Sequence, residues 1–230
     1  MDRRAFLKTL PALGVLAGTA SSRTQDLETI TLAEPQAEGG KSLLEAISER
    51  RTTRNISSEE LPPQMLSNLL WAAFGVNRKK GPFGGPDRTA ASASNSQEID
   101  LYVALSEGVY LYNATGHRLT PVVAGDFRRR SGRRAAARAP VNIFYVVDIA
   151  KYAKAPFQEP GLKDPEVQKS YYYVATGLIA QNVYLFAASQ GLAAHFHNCD
   201  KRNTPKEFKL RPEQRVLFAQ TVGYPAESGG

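Results

Sequence analysis

Apolar residues recur at helical spacing in three segments of the chain. The first begins after Ser42, where Glu45 stands three residues on and completes a capping box, so a short helix is predicted up to a polar stretch at 49–55. A second helix is predicted from about 64 to 74, after two prolines. A third, much longer helix is predicted from about 164 to 190.

Shorter apolar segments predict strands between these helices. They lie at 99–105, at 109–112 and 117–123 (a hairpin), at 141–147, at 193–197 and at 215–222. Residues 126–138, with six arginines, predict a further helix, 204–208 a short one, and the Gly- and Pro-rich residues 75–97 a loop. This order predicts an α+β fold, because strands are grouped between helices and do not alternate with them. No Gly-x-Gly-x-x-Gly follows a strand, so the chain has no Rossmann nucleotide motif.

The N-terminus is typical of an export signal. Residues 1–20 combine a basic start, a short apolar segment and small residues, and Arg3-Arg4-Ala5-Phe6-Leu7-Lys8 resembles a twin-arginine signal. The alternative is a basic, disordered leader. We expect a periplasmic protein exported by the twin-arginine route, a flexible linker over 21–40 and one domain over 41–230.

The composition of the chain limits which partners, disulfides and metal sites are expected. The 230 residues include 29 Lys and Arg against 22 Asp and Glu, a net charge of +7, which permits an anionic partner without requiring one. Cys199 is the only cysteine and there are three histidines, so we expect neither an intramolecular disulfide nor a metal site.

The basic string after the first helix is the first candidate site. Arg50, Arg51 and Arg54 surround Thr52 and Thr53. Guanidinium groups with hydroxyls suit a phosphate, because Arg supplies a planar fork of donors. The alternative is a solvated helix end whose basic residues complement the helix dipole.

The second candidate is the small, polar segment from Arg88 to Gln97. It contains Ser92, Asn95 and Gln97, whose donors and acceptors suit a planar heterocycle, and its small side chains allow a ligand to approach the backbone. An ordinary surface loop has the same composition.

The third candidate is the helix over 171–192, inside a segment without charge from Ser170 to Cys199. A membrane span is disfavoured because Thr176, Gln181 and Asn182 lie within it. A central helix that is apolar on two faces fits better, and one small domain cannot cover both faces. We therefore expect a homodimer, with no stable membrane insertion after signal cleavage.

Four motifs in order resemble the nitroreductase superfamily. Glu49 to Arg54 resembles its N-terminal flavin motif, Leu69-Leu70-Trp71-Ala72-Ala73 its next helix, Arg88 to Gln97 its flavin loop, and Gly177 to Asn182 its central dimer helix. The likeness runs from Ser42 to Val222-Gly223-Tyr224-Pro225.

This resemblance implies a central mixed or antiparallel sheet flanked by helices, a domain completed by dimerisation around the long helix, and FMN as cofactor. It implies an oxidoreductase that transfers hydride between flavin N5 and a small organic substrate or a quinone-like acceptor. Residues implied to bind FMN are Arg50, Arg51, Thr52, Arg54, Ser92, Asn95 and Gln97; no side chain is assigned as a catalytic acid or base. The alternative is a flavin-binding scaffold protein of the same fold that has lost catalysis.

Residues 108–128 resemble the hairpin of the azoline (thiazole/oxazole) dehydrogenase-like branch, through Gly108, Tyr110, His117, Leu119 and Asp126. Two departures stand out. Ala91 replaces a proline of the flavin loop, and no Lys/Arg pair follows Pro225 to assist phosphate binding. Because NADH and NADPH are cytosolic, export would make them unavailable, and we expect the flavin to be reduced by the organic substrate, a quinol or a redox protein.

The remaining residues favour structural roles. His195 and His197 are expected to point one inward and one outward, His117 to face solvent, and Cys199 to be a small buried residue. The arginines at 128–138 are expected to cover a solvated helix, and without interleaved aromatic residues they give no support to nucleic-acid binding. Binding to anions or a membrane surface through them is a weaker alternative.

Overall fold

The computed structural model describes residues 27–132 and 136–226. The α-helices in this part of the chain are α1 (Leu43–Glu49), α2 (Pro63–Phe74), α3 (Pro165–Ser189) and α4 (Thr204–Glu207). The strands are β1 (Ile30–Thr31), β2 (Val76–Arg78), β3 (Asp87–Arg88), β4 (Ile99–Ala104), β5 (Gly108–Asn113), β6 (Arg118–Ala124), β7 (Val141–Asp148), β8 (Ala193–His197) and β9 (Gln214–Gly223). The predicted α+β class is confirmed. The predicted signal at 1–20 lies outside the described residues.

Seven strands form one sheet in the order β1-β6-β5-β4-β7-β9-β8. Every neighbouring pair is antiparallel, so the sheet is antiparallel rather than mixed. All eight residues of β7 are buried, because successive side chains enter opposite layers. Ile143 and Tyr145 pack with α2 and α3, whereas Phe144 and Val146 pack with Phe208 on the other face.

The helices begin as their sequences predict. At α1 the Ser42 hydroxyl accepts from the Glu45 backbone N–H, and the Glu45 carboxylate accepts from the Ser42 N–H. At α3 the Asp164 carboxylate caps the helix by accepting from the backbone N–H of Glu166. No helix in residues 27–132 and 136–226 has the length and hydropathy to cross a bilayer.

The long helix α3 has two different faces. One is buried in the core at three- and four-residue spacing: Tyr172, Ala175, Thr176, Ile179, Ala180, Val183 and Ala187. The opposite face leaves Val174 61% and Leu178 45% exposed, and on α1 Leu44 is 78% exposed. These exposed residues, with Tyr173, Leu43 and Ile47, form what we call the apolar face.

Three predictions about local structure are wrong. In place of the single helix predicted over 126–138, the described residues of this range contain two short 3-10 helices, Arg128–Ser131 and Ala136–Arg138, and Gly132, with a left-handed φ of 84°, ends the first one. Arg128 pairs with Asp126, and Arg130 pairs with Asp200 and Glu207, so these two arginines hold local structure.

The loop predicted at 75–97 contains a hairpin of β2 and β3. Part of the linker predicted at 21–40 belongs to the domain, since Ile30 of β1 pairs with Leu119 of β6 and Leu32 is buried. A two-residue edge strand has too few positions to show periodicity, which is why the pattern missed it.

Candidate functional site

The basic string follows α1 and lies against α3. Tyr184 of α3 accepts a hydrogen bond from the Phe196 backbone N–H at 2.8 Å, so its own hydroxyl proton is free to go to Thr52 Oγ1, 3.1 Å away. The Arg50 guanidinium lies over the Tyr184 ring, 5.4 Å from its centroid. Tyr184 therefore fixes both Arg50 and Thr52, and sequence reasoning missed it because nothing near residue 184 marks a contact with residue 52.

The arginines of this string are not neutralised within the described chain. Arg50, Arg51 and Arg54 form no ion pair with any described residue, and Arg51 and Arg54 are exposed. Arg51 and Tyr184 line a cavity of about 100 Å³ that also includes Thr53 and Gly191. Glu49 also lines this cavity, and its carboxylate is paired with Lys41. The arrangement fits a phosphate group.

The segment from Arg88 to Gln97 folds onto itself. The Gln97 side chain donates to the Pro86 carbonyl at 2.7 Å and accepts from Arg88 Nε at 2.6 Å. Asn95 donates to Asp87 at 3.2 Å, and the Ser92 hydroxyl accepts from the Gln97 backbone N–H at 3.0 Å. The side chains of Asn95 and Gln97 thus build the loop, whereas the backbone and the Ser92 hydroxyl are the groups left to meet a ligand.

Backbone strain marks the same segment. Ser94, Asn95 and Gln97 have φ values of 52°, 51° and 49°, a left-handed conformation that non-glycine residues seldom adopt. Lys151 holds the end of the segment by donating to the Gln97 carbonyl at 3.0 Å while it pairs with Asp100. The loop is held in one shape from several sides.

Arg88 adds a positive charge to this loop. Burial lowers the pKa of its guanidinium, and no carboxylate of the described residues forms an ion pair with it. Its other contacts are neutral: the Phe74 carbonyl at 3.3 Å and the Phe74 ring at 5.2 Å. The charge is thus available to an anionic or electron-rich ligand.

Helix α3 contacts both the basic string and the loop from Arg88 to Gln97. Tyr184 contacts Thr52, and Asn182 donates to the Thr89 carbonyl at 3.2 Å. Residues two apart on an α-helix project about 200° from each other, so the two groups approach α3 from different sides. Within one chain, the basic string and the loop therefore do not face each other.

Sequence reasoning missed Glu98 and misplaced the two histidines of β8. Glu98 is fully buried; its Oε2 accepts from the Ser96 hydroxyl at 2.7 Å and its Oε1 has no hydrogen-bond partner among the described residues. His195 and His197 are both buried, with ring centroids 4.7 Å apart, so the expectation of one inward and one outward ring is wrong. Residues i and i+2 of a strand share a face.

Cys199 is buried, as expected, and burial raises the pKa of its thiol to about 12. No group of three or more His, Cys, Asp or Glu in the described ranges is arranged to hold a metal.

The expectation that the His117 ring faces solvent is wrong. Its Nε2 lies 2.7 Å from Ser67 Oγ, and its Nδ1 lies 3.0 Å from the Tyr112 hydroxyl. Because Ser67 donates to the Ala33 carbonyl, Nε2 carries the proton and Nδ1 accepts from Tyr112. This chain of hydrogen bonds ties the segment after β1 to α2 and to β5.

Removing this imidazole should make stability less dependent on pH. Burial lowers the pKa of His117, against a smaller opposing effect of the Ala33 carbonyl. In the unfolded chain His117 has its ordinary pKa of about 6.5, so it binds a proton at a higher pH there than in the folded chain. The stabilisation that the neutral, hydrogen-bonded imidazole gives the fold is therefore complete above about pH 6.5 and decreases as the pH falls below it. Asparagine tolerates the left-handed backbone at this position. His117→Asn should therefore lower the free energy of unfolding by ~1–3 kcal/mol above that pH and should make its decrease at lower pH smaller than in wild type.

Urea unfolding of both proteins between about pH 5 and pH 8 measures this difference. Parallel decreases in the free energy of unfolding for wild type and variant would assign the pH dependence to other groups.

Comparison with known proteins decides the family. The sequence model of the nitroreductase family matches residues 47–224. The chain belongs to the nitroreductase family. A solved structure of a "putative nitroreductase" from Ralstonia eutropha JMP134 superposes with a TM-score of 0.77 at 31% identity, covering 96% of this chain and 100% of the other. A Methanocaldococcus jannaschii protein named "Putative nitroreductase MJ1384" is 27% identical over 210 residues, 87% of this chain and 99% of that protein.

A more distant structural neighbour is a chain from the Escherichia coli microcin synthetase McbBCD complex. Its TM-score is 0.66 at 17% identity, and the alignment covers 97% of this nitroreductase-family chain and 85% of the other. This similarity shows the shared fold. Membership of the azoline dehydrogenase-like branch stays a prediction.

Proposed function

We propose that this member of the nitroreductase family is an FMN-dependent oxidoreductase acting on a small organic substrate. The observation that carries the proposal is the un-neutralised string Arg50, Arg51 and Arg54, with Thr52 held beside it by Tyr184. The family typically binds flavin, and the FMN phosphate is the anion that this string suits.

The basic string binds the phosphate in this proposal. Arg50 presents its guanidinium from a fixed position over Tyr184, Thr52 supplies a short neutral hydroxyl, and Arg51 and Arg54 contribute charge from solvent.

The loop holds the ring system. Bound flavin supplies hydride chemistry at its N5 atom. Ser92 and the loop backbone would hold the ring edge, while Asn95 and Gln97 keep the loop in its strained shape. Arg88, held by Gln97 and Phe74 at the start of the loop, would add positive charge near a bound ring and would favour electron-rich states of it.

We infer that the site is completed by a second copy of the chain. The basic string and the loop approach α3 from different sides, and the apolar face of α1 and α3 is exposed in one chain. Pairing two copies through this face would cover it and would bring the string of one protomer toward the loop of its partner. FMN binding and dimerisation should then depend on each other.

The electron donor is part of the proposal. Export through the Arg3-Arg4 signal would separate the protein from NADH and NADPH, so the flavin is reduced by its organic substrate, a quinol or a redox protein.

Purification of the folded protein tests the function. We expect a yellow protein whose chromophore, released by heat, has the mass of FMN, and whose flavin in stopped flow reacts faster with a quinol than with NADH. A colourless protein that takes up no added FMN would overturn the proposal. Bound FMN that, after photoreduction, stays inert to oxygen, quinones and nitroaromatic compounds would favour the scaffold alternative.

A further inference from the structure

A second cavity lies beside the hairpin of β2 and β3. Its volume is about 570 Å³, within the range of roughly 300–1,000 Å³ typical of small-molecule sites. Its walls come from four parts of the chain: Glu34 and Pro35 after β1, Trp71 of α2, residues 76–86 around the β2–β3 hairpin, and residues 114–117 between β5 and β6.

The aromatic wall of this cavity is rigid. The indole Nε1 of Trp71 donates to the Val76 carbonyl at 3.0 Å, which fixes the ring. Gly75 is required beside it, because a Cβ at that position would lie 2.4 Å from Trp71 Cδ1. With Val76 and the rings of Pro35 and Pro86, the indole forms an apolar surface that suits a flat ring.

The charged side chains around the cavity favour one class of aromatic ligand. Lys79 lines the cavity and forms no ion pair with a described residue, whereas its neighbour Arg78 is paired with Asp87. Glu34 lines another wall and disfavours a second negative group. His117 adds no charge, because both ring nitrogens are hydrogen-bonded in its neutral form. The walls suit a planar aromatic molecule with one negative group.

The cavity is joined to the loop by direct hydrogen bonds. The Pro86 carbonyl accepts from Gln97 at 2.7 Å, and the Trp71 carbonyl accepts from the Thr89 hydroxyl at 3.2 Å. We propose that this cavity binds a planar aromatic carboxylate, with the ring on Trp71 and the carboxylate at Lys79. Its role as the substrate site rests on the proposed function, whereas the binding itself does not.

Trp71 is the only tryptophan of the chain, so its fluorescence reports on this cavity. The purified protein is titrated with 4-nitrobenzoate and with its neutral analogue 4-nitrobenzamide, and FMN content is measured in the same samples. We expect saturable quenching by the carboxylate and about fivefold weaker binding of the amide. Lys79→Glu should weaken carboxylate binding about tenfold and abolish the preference. Lys80→Glu, an equal change at an exposed neighbour outside the cavity lining, should leave both affinities near wild type.

Absence of saturable quenching, or equal effects of Lys79→Glu and Lys80→Glu, would overturn the inference. The two proposals fail separately. Protein that holds FMN but does not bind 4-nitrobenzoate contradicts the cavity assignment alone, whereas protein that binds the carboxylate but never takes up FMN contradicts the proposed function and leaves the binding site standing.

Discussion

The double variant Arg50→Ala, Arg54→Ala is expected to lose its FMN. A hydrogen bond to a charged group contributes ~1.5–3 kcal/mol, so removal of two should raise the Kd for FMN by about 100-fold or more. The fold should survive, since Arg54 is exposed and Arg50 contacts only the surface of Tyr184 beyond its backbone. Equilibrium dialysis with FMN gives the affinity, and urea unfolding of the flavin-free proteins shows that stability is unchanged.

Two further variants sharpen this result. Arg50→Lys keeps the charge but loses the planar fork, so it should bind FMN with intermediate affinity. Arg202→Ala removes an exposed arginine far along the chain and should bind like wild type. If the double variant retains wild-type flavin content, the basic string is not the phosphate site.

Leu178→Arg is expected to produce a monomer that no longer retains FMN. Leu178 is 45% exposed in the single chain, so arginine there should be tolerated by the monomer, but in a symmetric dimer two like charges would be buried facing each other. Sedimentation velocity at micromolar concentration measures the oligomeric state, and absorbance measures the flavin. Phe157→Arg, at an equally apolar residue that is 55% exposed outside the apolar face, is the matched control and should remain a dimer with FMN.

Gly177 gives an independent check of the same interface. A Cβ there would meet nothing within 4 Å in the single chain, so in a monomer Gly177→Ala should raise stability by roughly 1 kcal/mol through helix propensity. If a second helix packs closely at this point, the same methyl group should weaken the dimer.

A Leu178→Arg monomer that still binds FMN with wild-type affinity would show that one chain forms the whole site.

Local signals in the sequence predicted what depends on local contacts. The capping box of Ser42 and Glu45 placed the start of α1, and the spacing of Leu69, Leu70 and Ala73 placed α2. The arginines of the candidate site could be proposed from the sequence because the type of a residue limits which ligands it can bind.

The rest depends on contacts between residues far apart in the chain. Tyr184 meets Thr52 across 132 positions, and Ser67 meets His117 across 50, so no local pattern could announce either contact. Arg130 was misread because its partners Asp200 and Glu207 lie 70 and 77 residues away. From the sequence alone, a run of charged residues cannot be distinguished from a solvated surface, because its acidic partners are brought close only by the fold.

The short strand β1 has a consequence for the behaviour of the protein in concentrated solution. It covers the first part of the outer edge of β6, at Arg118 and Leu119, where the backbone groups would otherwise be open to pairing with another chain. In the segment that follows, Leu32 is buried and the Ala33 carbonyl accepts a hydrogen bond from the Ser67 hydroxyl. A shortened version beginning at Lys41 would therefore expose a template for intermolecular strand addition. The residues ahead of α1 act as a guard against aggregation.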